Sequence, residues 1–309
     1  MNSALFSYII FPGLIFTAVV GCIASWIDRK VSARVQWRVG PPLLQPFYDL
    51  AKLTGKETVL PANGAGSVFL LCPLIALVSI TFVSTILWQV MLSTGTILTD
   101  NLIVLVYLLT IPSVALILSG AASANPLASL GASREMKLAL SYELPFILAI
   151  LVPVIKAGGS IKLGELLLWQ WGNHPFLASP SGFIAFIVVI LSIQAKLALT
   201  PFDASEAETE IVSGPFIDYS GTPLAIYKLG RWMLLFVLPM FVVVLFMGGI
   251  AFDSWHILWG ILKYVLLLVI IILIRNTNPR VRIDQAVKFF WKLITPLAIA
   301  AVIMALVGF

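Results

Sequence analysis

Residues 181–250 read SGFIAFIVVILSIQAKLALTPFDASEAETEIVSGPFIDYSGTPLAIYKLGRWMLLFVLPMFVVVLFMGGI. The apolar runs at 181–200 and 223–250 are each long enough to cross a bilayer core, which takes about 20 helical residues. The loop between them, 201–222, gathers Asp203, Glu206, Glu208, Glu210 and Asp218 without one Lys or Arg. In a chain that is only 11% charged, that concentration of acid needs a cause.

Working outward, the same kind of apolar run recurs. The 309 residues are 60% hydrophobic, with mean hydropathy +1.05, well beyond an average soluble domain. Runs near 5–27, 67–90, 101–122, 138–155, 181–200, 223–250, 256–275 and 288–308 predict about eight transmembrane helices. The expected fold is all-α: a polytopic membrane protein, one transmembrane domain over 1–309, with no internal repeat. The first run lacks a positive segment before it, is too long for a signal peptide and precedes a basic cluster, so it reads as a retained span. Cys22 and Cys72 fall inside apolar runs without Cys-x-x-Cys spacing and read as buried thiols.

Lys and Arg counted by alternate loops set the topology. Arg29, Lys30, Arg34, Arg38, Lys52, Lys56, Arg134, Lys137, Arg275, Arg280, Arg282, Lys288 and Lys292 fall on one side, against Lys156 and Lys162 on the other. The positive-inside rule makes the first side cytoplasmic and puts both termini outside. The acidic loop is then cytoplasmic too, against the local bias. Two segments read as interfacial. Within the cytoplasmic loop 28–66, Leu43, Phe47, Leu50 and Leu53 share one helical face while Asp49, Lys52 and Lys56 take another. SIKLGELLLWQW, capped by Ser160 and ending in Trp169 and Trp171, suits the outer headgroup belt.

Several charges sit where charges are expensive. Glu143 lies in the fourth span, Lys196 near the end of the fifth, Lys228 and Arg231 on one face of the sixth, and Lys263 enters the seventh. A central charge costs about 2.5–3.5 kcal/mol on insertion scales, so such groups pair or line wet cavities. Lys228, Arg231 and Lys263 are also near enough to span ends to snorkel; Glu143 reaches the interface less easily. A charge run is usually a solvated face, but Phe202, Ile211, Val212, Phe216 and Ile217 punctuate the acidic one. A carboxylate-lined pocket between helices fits that composition better. Crowded, partly desolvated carboxylates have raised and coupled pKa values, which a proton relay needs. His174 and His256 lie far apart, and neither a phosphate loop nor a nucleophile with its base is present, so the chain itself offers no metal site, cofactor site or nucleic-acid surface.

Four stretches together resemble one family: RKVSARVQWRVGPPLLQPFYDLAKLTGKE (29–57), GASREMKLALSYE (131–143), PFDASEAETEIVSGPFIDYSG (201–221) and IRNTNPRVRIDQAVKFFWK (274–292). They are similar, in this order, to the membrane subunit that docks the peripheral redox arm in respiratory NADH:quinone oxidoreductase (complex I) and in energy-converting membrane-bound nickel–iron hydrogenases. The resemblance implies eight helices and a non-catalytic subunit of an oxidoreductase complex in the cell membrane of a bacterium or archaeon. It further implies contact with hydrogenase-like large and small subunits, an iron–sulfur subunit and antiporter-like membrane subunits. The nickel–iron centre and the iron–sulfur clusters belong to those partners. On the same footing Glu143, Lys196, Asp203, Glu206, Glu208, Glu210, Asp218, Lys228, Arg231 and Lys263 are candidates for ion coupling. Arg34, Arg38, Asp49, Lys52, Arg280, Arg282 and Asp284 are candidates for the docking surface.

The departures point to a branch. Complex I members carry a longer turn after the RxGP of the first loop and an Arg shortly before PFD; here the turn is VGPPLLQP and the equivalent residue is Leu199. Lys196 stands where those relatives usually have a glutamate, and Arg231 also replaces a carboxylate. The hydrogenase-type coupling subunit is therefore expected, with Lys196 and Arg231 as counter-ions to the acidic loop and Asp203 and Glu206 as partners for Lys196. Such pairing would lower some of the loop's pKa values instead of raising them. The quinone-reducing subunit, the sulfur-reducing relative, a stand-alone secondary transporter and a passive anchor remain alternatives. The exported ion, protons or sodium, is left open.

Overall fold

The structure is a computed structural model that describes residues 2–92, 100–252 and 255–309, with side chains from residue 6 onward. In chain order its helices are α1 (Asn2–Ile9), α2 (Leu14–Val35), α3 (Gln45–Thr54), α4 (Gly66–Leu92), α5 (Leu102–Ala122), α6 (Pro126–Lys156), α7 (Leu163–Gly172), α8 (Pro180–Lys196), α9 (Glu208–Ile211), α10 (Gly221–Phe246), α11 (His256–Thr277), α12 (Ile283–Phe289) and α13 (Thr295–Val307). A π-helical turn, Phe290–Ile294, joins the last two into one rod. Among the described residues there is no named strand, and seven helical segments are long and apolar enough to cross a membrane. The remaining expected span, the fifth in order, is α8, shorter at 17 residues and stopped where Ala198 turns left-handed (φ +48°) ahead of Pro201.

Helix boundaries follow local chemistry rather than hydropathy alone. Asn101, Asn125 and Ser179 cap α5, α6 and α8 by accepting from the amides of Ile103, Leu127 and Gly182. Pro126 and Pro180 occupy first-turn positions, where no amide is needed. The Asn125–Pro126 start corrects the expected beginning of the fourth span at 138. Arg134, Glu135 and Lys137 are helical residues of α6, not loop. Likewise α2 continues through Arg29, Lys30 and Arg34, while the first apolar run is broken after Ile9, where Pro12 lacks an amide donor. The outer amphipathic helix starts at Leu163; Ser160 does not cap it but donates to Glu165 at 2.5 Å.

Helix α10 is the axis of the bundle. It is apolar on most sides, which suits an enclosed helix; 83% of its central window is buried, against 28–61% for the other spans. It packs on α2, α3, α4, α8 and α11, while α6 packs on α5, α8 and α13. The basic ends of α2, α11 and α12 and the loop after α8 meet at one end of the bundle, called here the basic end. Cys22 and Cys72 are buried free thiols, as expected. The α2–α10 crossing is set by Gly21, where an added Cβ would stand 2.9 Å from the backbone nitrogen of Met233 and 3.0 Å from its Cα. Backbone cannot yield as a flexible side chain can, so Gly21→Val should cost about 1–3 kcal/mol by overpacking. A drop in the melting temperature of the lipid-solubilised protein checks this.

Candidate functional site: a buried chain of acids and bases

The segment from Leu197 to Ser220 is folded inward, not spread on the surface. Phe202, Ala204, Ala207, Ile211 and Tyr219 are buried. Tyr219 stacks on Phe69 with ring centroids 3.8 Å apart and donates to its carbonyl at 2.8 Å. Gly131 lets the loop lie on α6: a Cβ there would stand 2.5 Å from Cδ of Pro215. Thr200 donates to the Arg275 carbonyl and the Val281 amide to that of Pro201, tying the segment to the end of α11 and the turn before α12. Its middle is strained: Val212 and Ser213 both have positive φ, +50° and +73°, costly above all for the β-branched Val212.

This packing brings most of the expected residues together as ion pairs. Arg280 Nε lies 2.8 Å from Asp203 Oδ2, Arg134 lies 2.5 Å from Glu210, and Arg231 pairs with Glu206. Burial pushes the carboxyls of Asp203 and Glu206 above the usual range, and Arg280 and Arg231 offset only part of that. The expectation that basic partners hold these two groups low is thereby corrected; desolvation is the larger effect. Asp218 accepts from Asn125 at 3.0 Å, and Glu208 stands exposed at the start of α9.

The expected partners of Lys196 are also corrected. Its ammonium lies 3.8 Å from Glu143 Oε1, not against Asp203 or Glu206, and it sits over the rings of Phe146 and Tyr142 at 4.7 and 5.5 Å. The reason is register: Lys196 is on the last turn of α8 and faces α6, whereas Asp203 and Glu206 come after the chain has turned. Lys263 lies elsewhere, donating to the Met247 carbonyl at 2.7 Å at the opposite end of the bundle.

Sequence reasoning missed Glu135. It is only 2% exposed and lines a cavity of about 50 Å³ with Lys196, Glu206 and Arg231. Its neighbours in SREMK make it look like part of a loop; the Asn125–Pro126 helix start is the signal that could have found it. A second cavity, about 750 Å³, opens at the basic end among α2, α10 and α11. Arg29, Arg38, Lys228, Arg231 and Arg275 line it with Asp28, and Leu199 and Trp232 form part of its wall. Arg275 pairs with Asp28 at 2.6 Å and Arg29 with Asp49 at 2.7 Å. Of the docking candidates, Arg34, Arg38, Lys52, Arg282 and Asp284 are exposed at this end, and Asp49 and Arg280 are engaged in ion pairs. Trp37, also missed, is 98% exposed beside them with φ +58°.

The NADH dehydrogenase family model matches residues 8–306. The chain belongs to that family. It is 33% identical over 311 residues to the H subunit of the NADH-quinone oxidoreductase of Dehalococcoides mccartyi (strain CBDB1), covering 97% of this chain and 83% of that one. Against the H subunit of Geobacillus kaustophilus (strain HTA426) it is 32% identical over 310 residues, covering 96% and 92%. Among solved structures it is similar to a chain of the membrane-bound sulfane sulfur reductase, an archaeal respiratory membrane complex, with TM-score 0.85, 27% identity, and coverage of 99% and 100%. The chain is thus a multi-pass membrane protein whose homologues are subunits of multi-subunit respiratory complexes.

For a member of this family the ion pairs predict a specific coupling. Lys196→Met strands the partly buried Glu143 carboxylate and should lower stability by about 1–3 kcal/mol. Lys196→Met with Glu143→Gln should recover part of the loss, whereas Lys196→Met with Glu206→Gln should not. Thermal unfolding of the three variants decides between the observed partner and the one expected from sequence.

Proposed function

We propose that this chain is the docking and coupling subunit of an energy-converting, hydrogenase-type complex, passing the effect of electron transfer in its partners to ion translocation in the membrane. The basic end faces the cytoplasm on this reading, and both termini face out. The observation that carries the choice of branch is Leu199, in the wall of the 750 Å³ cavity, where quinone-reducing relatives are expected to present a guanidinium. A site built to hydrogen-bond a carbonyl discriminates strongly against loss of its donor. Electrons then go to protons or to a sulfur substrate in partners that carry the nickel–iron and iron–sulfur centres.

A second reading, the quinone-reducing one, is favoured by the size of that cavity, which lies within the range of small-molecule sites, and by the names of the relatives in Dehalococcoides and Geobacillus. Quinone reduction by the purified complex in lipid, with and without a quinone-site inhibitor, separates the two. The expected outcome is no inhibitor-sensitive turnover; such turnover would establish the second reading.

Docking is supported by Arg34, Arg38 and the exposed Trp37 at and just after the end of α2. An exposed aromatic ringed by charge is the composition of a binding hot spot. Reversing Arg34 and Arg38 to Glu, or truncating Trp37 to Ala, should release the peripheral subunits; co-purification at the wild-type level counts against docking here. Coupling is supported by Glu143, which sits between Lys196 and an apolar groove of about 320 Å³ between α5 and α6. Glu143→Gln keeps volume and hydrogen bonding but cannot ionise. It should leave the complex assembled, since Glu135 remains as a counter-ion for Lys196, and lower the ions moved per electron in sealed vesicles.

A further inference from the structure

The 50 Å³ cavity among α4, α5, α6, α8 and α10 is lined by two acids, Glu135 and Glu206, and two bases, Lys196 and Arg231. Three of these have a stated partner: Glu206 and Arg231 hold each other, and Lys196 meets Glu143 at 3.8 Å. Glu135 does not. Its Oε2 is buried without a hydrogen-bond partner, and so are Lys196 Nζ and the hydroxyl of Ser205. The other groups facing Glu135 are the hydroxyls of Ser113, Ser205 and Tyr142, while α4 contributes only Ala76 and Ile80 to the cavity. A buried water needs roughly 10–15 Å³ and two or more polar partners, and this volume and lining satisfy both conditions.

We propose that Glu135 is the proton-carrying group between Glu206 and Glu143, and that Lys196 is the ammonium that alternates between Glu135 and Glu143. The inference rests on the coupling role described above and deepens it. The structure places Lys196 on Glu143; the proposed cycle starts from this arrangement with the proton on Glu135 and the charge on Glu143. The Glu135 O–H bond breaks, its proton crosses through water to the Glu143 carboxylate, and an O–H bond forms there. Lys196, charged throughout, then moves to the newly ionised Glu135. A proton arriving from the Glu206 side neutralises Glu135 again, Glu143 releases its proton onward, and Lys196 returns. One proton has crossed and every group has its starting charge.

The charges make the alternation favourable. Lys196 cannot be left beside two neutral acids without stranding a buried cation, and two ionised acids beside one ammonium would strand a carboxylate. Only one of Glu135 and Glu143 is therefore protonated at a time, so proton movement and the motion of Lys196 are obligatorily linked.

The test uses the intact complex in sealed vesicles, reading ions moved per electron and redox-induced infrared difference spectra. Glu135→Gln should assemble and transfer electrons but lose ion movement, and Glu135→Asp should restore it. A protonated-carboxyl band that changes on reduction should be present in the wild type, shifted in Glu135→Asp and absent in Glu135→Gln. Wild-type stoichiometry in Glu135→Gln overturns the inference. If Glu143→Gln uncouples while Glu135→Gln does not, this inference alone falls; if neither uncouples, the coupling role falls with it. Should Glu135→Gln fail to assemble, the spectra of wild type and Glu135→Asp decide: a redox-linked carboxyl band unmoved by the aspartate overturns the assignment.

Discussion

A charge removed from water is costly unless another charge or several hydrogen bonds meet it, and the basic end of this bundle is organised around that cost. Arg280, Arg231, Arg134 and Arg275 hold Asp203, Glu206, Glu210 and Asp28, each pair joining segments distant in sequence. The pairs do not make the acids ordinary carboxylates: burial still holds Asp203 and Glu206 above their usual range. At Asp49 the balance runs the other way. Burial raises it, but the hydrogen bonds from Arg29 and Gln45 and the nearby positive charge together outweigh that and hold it low. The difference between anchoring acid and titrating acid is thus set by depth, since Asp49 lies at the surface of the bundle and Glu206 within it.

The helical architecture is legible in the sequence because bilayer thickness imposes a length that composition reveals. Eight apolar runs can be counted, and seven long helices with the shorter α8 carry them. Boundaries are less legible where charged residues continue a helix. Arg29 to Arg34 and Arg134 to Lys137 lower local hydropathy, yet their backbone amides are satisfied within α2 and α6 whatever the side chains do. Glu135 escapes for that reason. The acidic loop is legible as a site because its composition has no topological purpose, but its partners are not. Pairing depends on where the chain turns after Lys196, and the turn at Ala198 to Phe202 sends Lys196 toward α6 and Asp203 toward the turn before α12.

The residues proposed for docking and those proposed for coupling share one set of elements. The end of α2 and the turn after it bear Arg34, Trp37 and Arg38, while Arg29 on the same helix pairs with Asp49 on α3 and lies over the ring of Trp232 on α10. Arg231, next along α10, holds Glu206 at the small cavity. On the proposed docking role, a shift of that surface reaches the buried acids through two adjacent side chains on α10, Trp232 and Arg231. No long transmission route is needed.

The replacement of two expected carboxylates by Lys196 and Arg231 changes the sign of what the site can feel. With Lys196 turned toward Glu135 and Arg231 on Glu206, the small cavity is near neutral when both acids are ionised, so a proton added there makes it positive. Proton uptake then requires negative charge from outside. A unit negative charge at roughly 15 Å, through an effective dielectric of about 20, contributes about 1 kcal/mol, somewhat under one pKa unit. Burial already raises Asp203 and Glu206, so such a shift adds to one that the fold has made in the same direction. A site of carboxylates alone would hold protons by its own repulsion. On the proposed coupling role, one balanced by Lys196 and Arg231 takes up a proton when a neighbouring centre in a partner gains negative charge and releases it when that charge leaves, so that proton movement follows electron transfer outside this chain.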